Sequence, residues 1–73
     1  MEAGLVQAKR LLLELAPATV AIPSARLIAS VELLDPGLSA DTVRYAYWTL
    51  VSTGHLERTD AGVHLGRAEQ GIY

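Results

Sequence analysis

Ser39-Ala40-Asp41-Thr42-Val43-Arg44-Tyr45-Ala46-Tyr47-Trp48-Thr49-Leu50-Val51-Ser52-Thr53-Gly54-His55-Leu56-Glu57-Arg58-Thr59-Asp60-Ala61-Gly62-Val63-His64-Leu65 is the stretch in which the period of the chain changes. Before Gly54 the apolar residues Val43, Tyr47 and Leu50 recur at helical spacing. Ser39 is a good N-cap, and Asp41 suits the positive end of the helix dipole. Gly54 stands where a helix commonly ends in a left-handed residue. Beyond it the pattern alternates, and two short runs flank Asp60-Ala61-Gly62. The pattern predicts a third helix over 40–52, then a β-hairpin over 55–67 with Asp60-Ala61-Gly62 as its loop.

Upstream, Leu5, Ala8, Leu12 and Leu15 predict a first helix over 2–16, stopped by Pro17. Leu27, Ile28, Val31 and Leu34 predict a second over 24–34, with Ser24 as its N-cap. Asp35-Pro36-Gly37 has the chemistry of a turn. Thr19-Val20-Ala21-Ile22 between the first two helices reads as a small strand or an extended connector. Residues 68–73 have no clear pattern, although Ile72 and Tyr73 are apolar enough to dock. The expected class is α+β, mainly helical: three helices followed by a two-stranded hairpin. Leu12, Leu15, Leu27, Val31, Val43, Leu50, Leu56 and Leu65 are expected to form one core.

The chain has 73 residues, which suits a single domain over 1–73. A domain this small buries only about 60% of the surface its unfolded chain exposes. Cysteine is absent, which excludes disulfides and thiolate metal sites and fits a reducing, cytoplasmic setting. No apolar run approaches the roughly 20 residues of a membrane span, so no membrane partner is expected. Lys9-Arg10 falls within the first helix rather than ahead of an apolar segment, so no signal peptide is expected. No nucleophilic cysteine, phosphate-binding glycine loop or HExxH motif is present. His55 and His64 alone make a poor metal site, even as cross-strand neighbours. The expectation is therefore a non-enzymatic protein with no catalytic residues, no metal and no cofactor. Net charge is −2 with both histidines neutral, which counts against nucleic-acid binding, where phosphate neutralisation supplies affinity.

The order of elements, with Ser39 to Arg44, Leu50 to Arg58 and the tip before Val63-His64-Leu65, resembles the recognition helix and wing of winged helix-turn-helix transcriptional regulators. The resemblance spans about residues 18–67. It implies a small DNA-binding regulator of transcription, with the third helix in the major groove and the hairpin as a wing on the backbone. The fold also serves unrelated functions. The other reading is a protein-interaction module that modulates a larger assembly such as a polymerase or a repressor. A longer turn with Pro36, and a third helix with Arg44 as its sole cation, depart from the family pattern.

At about 100° per residue, Asp41, Arg44, Tyr45, Trp48 and Ser52 lie away from the Val43–Tyr47–Leu50 side, with Thr42 and Thr49 between. The DNA reading gives Arg44 to a guanine edge, Thr42 to a phosphate or thymine methyl, and Tyr45 to a phosphate. Arg44 alternatively is a solvated charge paired with Asp41. Trp48 is placed in the DNA-binding set with Arg44, Thr42 and Tyr45, and otherwise reads as amphipathic cover over a small core or as a protein-interface anchor. Arg58 near the hairpin tip and Arg26 early in the second helix read as phosphate contacts or as ordinary solvated arginines. Val6 and Leu13 form a second apolar stripe on the first helix, which predicts a homodimer contact there.

Overall fold

A computed structural model describes residues 2–67; the expectation for the tail 68–73 lies outside the described residues. The elements run α1 (Glu2–Leu15), α2 (Ser24–Leu34), α3 (Ala40–Ser52), β1 (Leu56–Thr59) and β2 (Gly62–Leu65). This is a mainly helical α+β arrangement of three helices followed by an antiparallel hairpin.

Local chemistry sets most of the boundaries. Ser39 Oγ accepts the Thr42 N–H at 3.1 Å and so caps α3. At the other end Gly54 takes φ 84°, His55 N–H donates to Leu50 O, and Gly54 N–H donates to Val51 O. That pair of bonds is a Schellman motif, and it satisfies two carbonyls the helix would otherwise leave open. In the turn before α3, Asp35 Oδ1 accepts the Gly37 N–H. The end of α1 falls one residue before the expected Ala16, although Ala16 N–H still donates to Leu12 O. Ser24 is not the N-cap of α2. Pro23 holds that place, and the serine hydroxyl turns to Tyr47 instead.

The core consists of Ala8, Leu11, Leu12, Ala16, Leu27, Val31, Val43, Ala46, Tyr47, Leu50, Leu56 and Val63. Of the eight residues expected there, Leu15 and Leu65 pack at the margin and the rest are buried. Leu34, expected on the inner face of α2, is 61% exposed, because no side chain of that helix beyond Val31 belongs to the core. Leu13 packs against the core of its own chain, whereas Val6 is 66% exposed, so the two do not form one free stripe. The helix turns its apolar centre toward Ala8, Leu11 and Leu12, which brings Leu13 partly inward. Among the described residues, no helix is long and apolar enough to cross a membrane.

Strand β1 pairs with β2 in the register Leu56↔Leu65, Glu57↔His64, Arg58↔Val63 and Thr59↔Gly62. The reversal is therefore two residues, Asp60-Ala61, and Gly62 opens β2 rather than lying in the loop. Neither turn residue has positive φ; Gly62 supplies it, at 137°. Its missing side chain also admits the connector. A Cβ there would stand 2.0 Å from Ile22 O. Ile22 forms an antiparallel bridge with Val63, and Pro17 O accepts the Leu65 N–H. The segment before α2 thus behaves as an extended connector with one residue of strand pairing. The register places His64 opposite Glu57, so the two histidines are not cross-strand partners. No group of three potential metal ligands gathers among the described residues.

Candidate nucleic-acid interface

The site is built on α3. Burial of Val43, Ala46, Tyr47 and Leu50 fixes the helix's rotation, and that leaves Asp41, Arg44, Tyr45, Trp48 and Ser52 facing out. Tyr45 is 64% exposed and Trp48 51%. Arg44 makes no ion pair with Asp41; the ion pair among the described residues is Arg10–Glu14, at 3.8 Å on α1. Its guanidinium is held by no described neighbour and stands in solvent.

Two residues expected to act separately are joined. Arg58 lies opposite Val63, whose side chain is buried, and two residues from buried Leu56. Residues paired across a hairpin, and residues two apart on a strand, share a face. The stem of Arg58 therefore starts on the inner face and continues outward over α3. Its guanidinium carbon sits 4.8 Å from the centroid of the Trp48 ring. Trp48 meets Tyr47 edge to face, with centroids 5.2 Å apart and planes at 80°. The Tyr47 hydroxyl lies 2.6 Å from Ser24 Oγ. A continuous line of contacts thus runs from the first residue of α2 through α3 to the hairpin.

The other expected residues are more dispersed. Thr42 is half-buried, and its hydroxyl accepts from Ser39 Oγ at 2.8 Å, so its polar atoms serve the cap of α3. Thr42 and Tyr45 line a cleft of about 660 Å³ with Leu5, Ser39 and Asp41, where α1 passes the start of α3. Arg26 is exposed near the start of α2, and its side chain bonds to none of the described residues. Glu57 lies on the face of the hairpin opposite to Arg58, and Asp41 and Asp60 are exposed.

Sequence reasoning missed the Ser24–Tyr47 bond and the Arg58–Trp48 stack. The alternation of Leu56 and Arg58 signals that the arginine faces inward. No signal in one strand tells which helical residue it meets. Comparison with known protein families, curated proteins and solved structures returns no match for this chain.

Proposed function

We propose that the chain is a winged helix-turn-helix domain that binds duplex DNA as a small transcriptional regulator. In this reading α3 enters the major groove and the hairpin is a wing on the phosphate backbone. The observation that carries it is the Arg58–Trp48 stack, which makes the exposed face of α3 and the hairpin one continuous surface. Arg44 projects from that surface near the start of α3, where a groove-docked helix meets base edges. Its donors are uncommitted to described neighbours and have the fork geometry that matches guanine. A homodimer held through α1, with Val6 in the contact, doubles the arginines offered to a duplex and offsets the chain's negative charge. Replacing Val6 alone with glutamate is then expected to reduce the sedimenting mass to one chain while the circular dichroism spectrum stays unchanged. A wild-type protein that sediments as one chain at high concentration removes the dimer.

The test of DNA binding is a salt titration against random duplex. Affinity is expected to fall steeply with salt, since phosphate contacts release counterions. The two arginines should then fail differently. Arg44→Ala costs about 1–3 kcal/mol on a preferred site and relaxes discrimination there. Arg58→Ala weakens all sequences alike and reduces the salt slope by about one unit. The absence of binding at low salt overturns the reading.

A second reading rests on a different observation. Tyr45 and Trp48 are large, exposed aromatics on a chain of net charge −2, and such residues anchor protein interfaces. If Tyr45→Ala abolishes capture of a protein partner and no duplex is bound, the protein-interaction module replaces the DNA reading.

A further inference from the structure

We infer that Trp48 is a positioning residue that holds Arg58 for a single phosphate. This rests on the DNA-binding reading, and it assigns to the indole a role in that site distinct from covering the core or touching the ligand. The guanidinium lies over the ring, 4.8 Å from its centroid. A cation over an aromatic face is held by the quadrupole of the ring, an attraction distinct from the hydrogen bonds that the guanidinium's N–H edge can donate. That edge makes no hydrogen bond or ion pair with the described residues, although Glu57 and Asp60 stand one and two positions away. The contact with Trp48 thus holds the arginine while those donors are without a partner among the described residues.

The platform is itself fixed. Trp48 packs edge to face on Tyr47, which is buried and hydrogen-bonded through its hydroxyl to Ser24. A line of side-chain contacts therefore runs from α2 and the core to Arg58, beside the backbone bonds that seat the hairpin. An arginine on a four-residue strand next to a two-residue turn would otherwise sample many rotamers. Holding one of them before binding removes an ordering cost that a phosphate contact must otherwise offset.

The inference makes Trp48 and Arg58 one functional unit, which a double-mutant cycle detects. Binding of the full chain to random duplex is measured across salt for wild type, Arg58→Ala, Trp48→Ala, Trp48→Phe and the Trp48→Ala/Arg58→Ala pair. Arg58→Ala is expected to lower the salt slope by about 0.9, the value of one phosphate. Trp48→Ala should lower it by the same amount, and Trp48→Phe should restore it, because phenylalanine keeps a ring face. The double variant should bind within about twofold of Arg58→Ala, the limit set by ordinary additivity. Trp48→Leu keeps apolar cover without a ring face and takes the place of Trp48→Ala should that variant unfold. If the losses multiply in the double variant, Trp48 acts independently and the inference is wrong while DNA binding stands. It is equally wrong if Trp48→Ala and Trp48→Leu leave the slope unchanged, or if Arg58→Ala does. Wild-type protein that binds no duplex at low salt removes the DNA reading and this inference with it.

Discussion

Gly62→Ala is expected to destabilise the protein by about 3 kcal/mol or more, a loss that combines backbone strain with broken hydrogen bonds. Gly62 has φ 137°, a conformation nearly restricted to glycine. An L side chain held there costs about 1–3 kcal/mol. The new methyl carbon would also stand 2.0 Å from Ile22 O and 2.9 Å from Pro23 N. These are backbone atoms, so no rotamer change relieves the clash and the connector must move away. It then surrenders the Ile22 N–H to Val63 O and Val63 N–H to Ile22 O bonds, of 3.0 and 2.7 Å. Each such bond contributes about 1 kcal/mol net. Total stability for a chain of this length is roughly 4–11 kcal/mol, so much of it is lost. Urea denaturation measures the change. A loss below about 1 kcal/mol would mean that the connector and hairpin separate freely.

Tyr47→Ala is expected to cost about 3–5 kcal/mol, a large share of the chain's total stability. Tyr47 is the largest of the fully buried side chains among the described residues, and it sits where α3 meets the start of α2. Tyr47→Phe separates its two contributions. It keeps the ring in the core and removes the hydroxyl, so the expected loss is about 1 kcal/mol. Ser24 is only half-buried and can turn its hydroxyl to water. Thermal denaturation of the two variants distinguishes ring from hydroxyl. Equal losses would place the value of the residue in its hydrogen bond rather than its packing.

The parts legible in the sequence were those whose cause is local. Ser39 caps α3 through its own hydroxyl, and Gly54 ends it through its own backbone, so neighbouring residues sufficed to find both. The hairpin followed from the change of period after Gly54. What was not legible depends on partners far along the chain. A serine before a helical pattern reads as an N-cap, yet the Ser24 hydroxyl is taken by Tyr47, twenty-three positions away. Leu34 continues the apolar spacing of α2, but nothing in α2 tells that the core ends at Val31. Leu13 read as surplus because the rotation of α1 is set by α3 and α2, not by its own pattern. The candidate site shows the same division. The outward face of α3 followed from its period, whereas the meeting of Trp48 with Arg58 required the register of the hairpin and its seat on α3.

The bonds from Ile22 and Pro17 to β2 also order events during synthesis. These groups leave the ribosome early, in the segment between the first two helices. Their partners Val63 and Leu65 follow only after α3 and the reversal at Asp60-Ala61 have been made. Until then the connector is an open edge with exposed amides and carbonyls, and α1 and α2 have only each other and α3 to pack against. Closing that long loop is a late, entropically costly step, and it couples the helices to the hairpin as one cooperative unit. A ribosome pausing before residue 63 would therefore hold a chain with helical content but without its fixed tertiary arrangement.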